Sequence, residues 1–476
     1  MAIFRVNHIH SISSISPMKT NSPNFFPQLQ NPNSSFNCRI RYLSPISAPP
    51  QIPLCVSSLT TTLKSTATSS TLQEICKGHV PEHILQRAGE IGFVEPTDVQ
   101  KESLPFLFSG RDCILHAQTG SGKTLAYLLL IFSVISVQKS AVQALIVVPT
   151  RELGIQVTKV ARMLAANPSG LESEGRKYTV MALLDGGMLK RHKSWLKAEP
   201  PTIIVATMGS LCLMLEKQVF SLEALRVLVV DEVDFMFNSS KQIHSVKKLL
   251  TLYSKFSSRQ TVFASASIPQ HNRFVSDCIQ QKWTKRDVVH VHVNAVEPMP
   301  SCLHHRVVIC SKNERLQVLL TLLRKDGPKC AIIFASEQSE KSKKAGNAPS
   351  TTSLVDFLIA SYGNDGSEIS LLEEDMNFNA RAAALSELRQ RGNCLLVATD
   401  IAARGVDLPE TTHIYNFDLP GSAVDYLHRA GRAGRKPFST ERCTVTNIVV
   451  SVERFVLQRF ENELKFQCEE LSLSTT

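Results

Sequence analysis

The stretch "DCILHAQTGSGKTLAYLLL" (residues 112–130) holds a strand, a loop and a helix in one short run. A β-type apolar run stops at a glycine-bearing loop, and a long apolar, helix-like segment follows. Gly120 and Gly122 let the loop backbone curl until several N–H groups converge, and the helix opening near Lys123 adds the positive end of its dipole. Such a cradle suits phosphate. Residues 117–124, AQTGSGKT, read as a P-loop with Ala117 in place of its first glycine. Ala117, Gln118, Thr119, Gly120, Ser121 and Gly122 would wrap the phosphates. Lys123 would reach the β- and γ-phosphates, and the Thr124 hydroxyl would ligate Mg2+.

A P-loop needs a second strand that delivers a carboxylate to the metal. "RVLVVDEVDFMF" (226–237) supplies one: four apolar residues end at Asp231, followed by Glu232 and Asp234. Carboxylates are costly beside a core unless something cationic or catalytic holds them there. Asp231 is read as the Mg2+ ligand, largely through water, and Glu232 as the base that orients and deprotonates the attacking water. The plainer alternative is a strand end whose acids cap the next helix.

Outward from these motifs, short β-rich runs alternate with helix-like segments: DCILHA, QALIVVPT, YTVMALL, PTIIVAT, RVLVVDE and QTVFASAS. After a Pro-bearing pause near 291–301 the rhythm resumes with HRVVIC, CAIIFAS, ISLLEED, CLLVATD, THIYNFD and CTVTNIVV. Unbroken Val/Ile/Leu runs between helices argue for parallel sheets covered on both faces, so the expectation is an α/β chain of two tandem domains. The run 125–137, LAYLLLIFSVISV, is too short to span a membrane and is expected as a buried helix. Residues 337–353, EQSEKSKKAGNAPSTTS, read as a polar surface loop.

Composition sets outer limits. The 476 residues allow roughly two or three domains, and a hydrophobic fraction of 43 % is that of a globular chain. The net charge of +10 admits a polyanionic partner. It is unevenly placed: no acid occurs before Glu74, whereas Arg5, Lys19, Arg39, Arg41 and Lys64 are basic. The remainder, 47 basic against 42 acidic residues, is only mildly basic and does not by itself indicate nucleic-acid binding. An acid-free start with fourteen serines in its first seventy residues reads as a disordered transit peptide over 1–65. Sparse Arg and continuing Ser/Thr favour a chloroplast stromal address over a mitochondrial one. Twelve cysteines without a C-x-x-C pair suggest mostly buried thiols in a reducing compartment and no structural metal.

Taken together, the motifs resemble the DEAD-box ATP-dependent RNA helicases of helicase superfamily 2, over about residues 72–460. "GFVEPTDVQ" (92–100) looks like the family's adenine-sensing segment, which implies Phe93 stacked on the base and the Gln100 amide reading adenine. "PTREL" (149–153), the pair Gly186–Gly187 and "ATMGS" (206–210) stand where the family grips single-stranded RNA, implicating Pro149, Thr150, Arg151, Gly187 and Thr207. "SAS" (265–267) resembles the motif that couples hydrolysis to strand separation, with Ser265 and Ser267 joined by Asp234. "VATDIAARGVD" (397–407) implies Thr399 on RNA phosphate and Asp407 on the ATP ribose. "HRAGRAGR" (428–435) implies Arg432 and Arg435 as arginine fingers, with His428, Arg429 and Arg404 supporting the interface and Arg381 touching RNA. The likeness implies RecA-like domains at 72–292 and 304–460, a linker at 293–303 and a tail at 461–476.

Departures from the pattern fall mostly on the RNA side. Val233 stands for Ala, ATMGS lacks the usual Pro and Arg, Ser267 lacks a methyl, and "LLEEDMNFNAR" replaces the usual segment before Arg381. The implied activity is RNA-stimulated ATP hydrolysis with Mg2+, acting on single-stranded or short duplex RNA without sequence specificity, in a monomer with no membrane association. An ATP-dependent RNA clamp that does not unwind stands as the alternative, and a DNA translocase of the same superfamily as a further one.

Overall fold

The structure is a computed structural model. It describes residues 71–472, except 169–176, 185–188, 241, 255–258, 269–272, 294–298, 301, 347, 363–368, 391–393, 407, 410 and 435–442. The segment 1–65, expected as a transit peptide, lies outside the described residues.

Two parallel sheets carry the described chain. The first comprises β1 (Cys113–His116), β2 (Ala144–Val148), β3 (Val180–Leu183), β4 (Ile203–Thr207), β5 (Val227–Asp231), β6 (Gln260–Ser265) and β7 (Val289–His292). Their order is β3-β4-β2-β5-β6-β1-β7. The second comprises β8 (Leu303–Ile309), β9 (Cys330–Phe334), β10 (Ile369–Leu372), β11 (Cys394–Ala398), β12 (His413–Asn416), β13 (Cys443–Val449) and β14 (Glu469–Glu470), ordered β10-β11-β9-β12-β13-β8-β14. Both sheets fold as tandem RecA-like α/β domains, as the alternation of apolar runs and helices required.

The apolar runs explain the layering. Alternate residues of a strand point to opposite faces, and both faces here are dry. Ile146, Val148, Val205 and Val229 enter one core. Their neighbours Leu145, Val147, Ile204 and Val230 enter the other. Ile332 and Phe334 versus Ala331 and Ile333 divide in the same way in the second sheet. The long apolar run forms the buried helix Lys123–Val134. Among the described residues, no helix is long and apolar enough to cross a membrane.

The strand order positions the chemistry. β5, β6 and β1 lie side by side and run parallel, with Cys113 opposite Val262 and Val229 opposite Val262 on the other edge. Their C-terminal ends therefore bring the DEVD step, the SAS turn and the P-loop to one edge of the sheet.

Several expectations need correction. Two strands lie where apolar runs announce none: β7 is the short run VHVH leading into the Pro-bearing pause, and β14 falls in the segment expected as a tail and pairs with β8. The 337–353 segment is not simply loop. Ser339 caps a helix at Glu340–Lys344 by accepting from the Ser342 N–H, Lys343 pairs with Asp375 at 2.7 Å, and a second helix starts at Ser350. Local side-chain caps gave helix to a polar sequence that hydrophobic periodicity could not flag. Of the cysteines, Cys76, Cys113, Cys278 and Cys443 are buried thiols as expected. Cys330 departs from that pattern and is disulfide-bonded.

Candidate active site

The P-loop takes its shape from glycine. Gly120 and Gly122 have φ of 81° and 95°, and Gly122 caps the helix Lys123–Val134 in the left-handed conformation. A Cβ on Gly122 would lie 2.5 Å from Gln100 Nε2 and 2.7 Å from Thr97 Oγ1. Gln100 is the reason for the crowding: its Nε2 donates to the Gly122 carbonyl at 3.1 Å, and its Oε1 accepts from the Thr97 N–H at 3.0 Å. The amide is 2 % exposed, so it braces the P-loop with one donor and one acceptor and keeps only the other pair for a base. Phe93 packs against the first core beside it.

Lys123 is buried at the helix start. Its Nζ donates to the carbonyls of Ala117 at 2.6 Å and Gln118 at 2.8 Å. Burial drives its ammonium below the ordinary pKa and the Arg432 charge pushes the same way, while Glu232, Asp231 and Asp234 pull it back. Thr119, Ser121 and Thr124 line the same turn.

Asp231 closes β5, accepting from the Tyr127 hydroxyl at 2.8 Å and the Glu232 N–H at 2.9 Å. Burial, then the Glu232 charge, pushes its carboxyl up to about 6 against the pull of Lys123. Thr124 stands three residues before Tyr127 on the same helix, which places it on the same helix face as that hydroxyl. Sequence reading missed Tyr127, which looks like one more apolar residue of its helix. Glu232 adopts a left-handed backbone at φ 48°, an uncommon conformation for a residue with a Cβ. Its Oε2 is buried without a hydrogen-bond partner. Two buried carboxylates, one oxygen of them orphaned, beside a threonine hydroxyl make an all-oxygen donor set. That is what Mg2+ takes, and the residues fit it.

Asp234 is the hub. Its Oδ1 accepts from Ser265 Oγ and the Phe235 N–H at 2.6 and 2.8 Å. Its Oδ2 accepts from Ser267 Oγ and from His428 Nε2, both at 2.6 Å. Burial alone would raise this carboxyl, but the adjoining His428 ring and its hydrogen bond, with Arg404 and Ser265, hold it far below the usual range. His428 comes from the second sheet's domain, so the DEVD step, the SAS turn and the HRAGRAGR helix meet at one carboxylate. Glu232, Asp234 and His428 each place one ligand-type atom within 4.8 Å of the others.

Further contacts cross the same seam. The Arg404 guanidinium lies 4.9 Å from the centre of the Phe235 ring while binding Asp425 at 2.5 Å. Gly405, at φ 60°, backs onto Leu153, whose Cβ a side chain there would strike at 2.5 Å. Gly431 faces Thr119 of the P-loop. Arg432 is 3 % exposed and donates to the carbonyls of Ala403 at 2.9 Å and Val406 at 2.7 Å. Arg429, expected at the interface, instead anchors its own domain: it binds Asp400 at 2.6 Å and the Asp418 carbonyl at 2.7 Å, over Phe334. Arg435, Asp407 and Gly187 lie outside the described residues.

Of the residues expected to touch RNA, Thr150, Thr207 and Thr399 lie at or just after the C-terminal ends of β2, β4 and β11. Thr150 caps the helix Arg151–Ala165 by accepting from the Leu153 N–H at 3.3 Å, directly after Pro149. Arg151 sits over Phe378 of the second domain. Thr207 ends β4 and bonds Ser210 at 3.2 Å. Thr399 has a buried Oγ1 with no hydrogen-bond partner. Arg381 differs from expectation: it pairs with Glu152 across the seam at 2.8 Å and donates to the Glu374 carbonyl at 2.9 Å. Glu152 lay inside PTREL without an assigned role, because only the folded chain reveals its partner.

A P-loop and a metal-type acid pair on one α/β domain, faced by buried arginines from another, define a two-domain nucleotide-hydrolysing enzyme. Residues 97–274 match the DEAD/DEAH box helicase family, and residues 311–437 match the helicase conserved C-terminal domain. The chain is 70 % identical over 403 residues to "DEAD-box ATP-dependent RNA helicase 58, chloroplastic" of Arabidopsis thaliana, covering 85 % of this chain and 84 % of that protein. It is 64 % identical over 437 residues to the protein of the same name in Oryza sativa subsp. japonica, covering 88 % and 97 %. Among solved structures, Mss116p bound to ssRNA and AMP-PNP has the same fold, with a TM-score of 0.72 at 22 % identity over 86 % of this chain and 81 % of that one. The chain belongs to the DEAD-box ATP-dependent RNA helicases and is an ATP-hydrolysing enzyme.

Proposed function

We propose that this helicase couples ATP hydrolysis to RNA binding and local unwinding of short RNA duplexes. Lys123 and the P-loop amides hold the phosphates, Glu232 orients and deprotonates the attacking water, and Arg432 and Arg435 meet the γ-phosphate from the other domain. Thr124 and Asp231 would hold Mg2+, which when bound neutralises phosphate charge. Phe93, Gln100 and Asp407 contact the base and ribose. Pro149, Thr150, Arg151, Gly187, Thr207 and Thr399 take the RNA backbone, with Arg381 released from Glu152 to join them. Recognition of phosphate and 2′-OH rather than base edges gives RNA preference without sequence specificity.

One observation carries the coupling: Asp234 binds Ser265, Ser267 and His428 at 2.6 Å each, linking the hydrolytic strand to the opposite domain. Closing the seam completes the ATP site and the RNA rim together, so each ligand favours the other. A bent single strand held by both domains no longer fits a duplex. The names of the plant relatives and the acid-free, Ser-rich start support a chloroplast stromal address, with 1–65 as transit peptide and 72–292 and 304–460 as the working domains of a monomer. A strand-displacement assay on a short RNA duplex tests the reading. ATP should drive displacement and a non-hydrolysable analogue should drive less in repeated turnover; retention of RNA with no displacement under either nucleotide would make the protein a clamp.

A further inference from the structure

Three imidazoles gather at the far edge of the first sheet, outside the nucleotide site. His116 ends β1, while His290 and His292 stand two apart on β7, the edge strand. His292 lies opposite His116 and His290 opposite Ile114, so the three side chains share one sheet face. Ring centroids are separated by 3.8 Å (His116–His292), 5.5 Å (His116–His290) and 5.6 Å (His290–His292). One ligand-type nitrogen from each ring lies within 4.8 Å of the other two.

The innermost ring is prepared for a ligand. His116 Nδ1 is buried with no hydrogen-bond partner. A buried ring nitrogen without a partner is a group that a bound ion would satisfy. Burial first, then the neighbouring histidines, lowers the pKa of His116 to about 3, and partial desolvation against the neighbouring rings also lowers those of the otherwise exposed His290 and His292. All three rings are therefore neutral near pH 7, the form that ligates.

We propose that His116, His290 and His292 form a site for one divalent transition-metal ion, Zn2+ by preference. Neutral imidazoles without carboxylate suit Zn2+, Cu2+ or Ni2+ and disfavour Mg2+, which requires oxygen. Metal–nitrogen bonds of about 2.0–2.1 Å bring ligand nitrogens to roughly 3.3 Å of one another. His290 and His292 are exposed on an edge strand, so their rings can turn to close that gap and the ion can enter from solvent. The bound ion clamps β7 onto β1, the strand that carries the P-loop.

Co2+ serves as the spectroscopic probe, added to the full chain in excess Mg2+ and ADP so that the nucleotide site is occupied. One equivalent should give visible d–d absorption without the near-ultraviolet band of thiolate ligation, and Zn2+ should displace it. The His290→Thr/His292→Thr variant should lose at least about 100-fold in affinity while keeping RNA-stimulated ATPase activity, which reports its fold. Should that variant fail to fold, His292→Gln alone should cost at least about tenfold. Absence of d–d absorption, a thiolate band, or undiminished binding in the variants would overturn the site.

Discussion

Glu232 holds a strained backbone and an unsatisfied carboxylate oxygen in the same residue. Such strain persists only where the surroundings enforce it, and here the turn aims a carboxylate into the space beside Lys123. Glu232→Gln keeps shape and removes basicity. ATP and RNA affinities should stay within about twofold while turnover falls by at least 10²; wild-type turnover in single-turnover hydrolysis would reject Glu232 as the base. A different residue contributes to the loss of stability in acid, together with His116. His305 is buried, with Nδ1 2.9 Å from the Tyr426 hydroxyl. Burial, aided by His304, lowers its pKa from 6.5 to about 4. The folded state thus favours the neutral ring. Its contribution is intact above pH 6.5 and is lost as pH falls towards 4, because the unfolded chain then binds the proton more readily. The loss amounts to on the order of 3 kcal/mol. In urea titrations, His305→Gln should make the stability decline across that window shallower; an unchanged slope would remove His305 from the groups responsible.

At the scale of elements, the segment before the P-loop shows how a side chain can shape a turn. The Gln100 amide joins the Thr97 N–H to the Gly122 carbonyl and is shielded from water. Gln100→Ala leaves both partners unpaired, at a cost of about 1–3 kcal/mol. The variant should melt lower and show a KM for ATP raised about tenfold, with kcat changed less; an unaltered melting temperature would deny Gln100 its bracing role. The P-loop, the DEVD strand and the two-sheet plan were legible because they combine apolar runs with glycine and charge at fixed offsets. β7 was not, because VHVH has too few apolar residues to announce a strand and gains its place only by pairing with β1. The two-residue β14 exists only against β8. Helix Glu340–Lys344 depends on a serine cap and a distant aspartate, neither of which leaves a hydrophobic period. Tyr127, Glu152 and Asp425 escaped notice for the same reason: their partners are remote in sequence.

For the whole molecule, the seam is the unit of function. Asp234–His428, Arg381–Glu152, Arg404–Phe235 and Gly405–Leu153 all cross it. These contacts join the two domains, so on the proposed cycle a ligand that favours closure would stabilise all of them. If ATP and RNA both select the closed state, the factor by which an ATP analogue tightens single-stranded RNA must equal the factor by which RNA tightens the analogue. His428→Ala removes the one donor to Asp234 Oδ2 that comes from the opposite domain, while Ser267 stays, and leaves Lys123, the P-loop and Asp231 untouched. Its affinity for the analogue without RNA should therefore stay near the wild-type value, while the mutual factor should shrink in both directions by the same amount, about 5–150-fold at most. Fluorescence titrations of each ligand, with and without saturating amounts of the other, measure all four constants. A variant that keeps the full mutual factor would move the coupling off the Asp234–His428 contact, whereas one that loses analogue affinity outright would mean that His428 acts on the nucleotide rather than on closure.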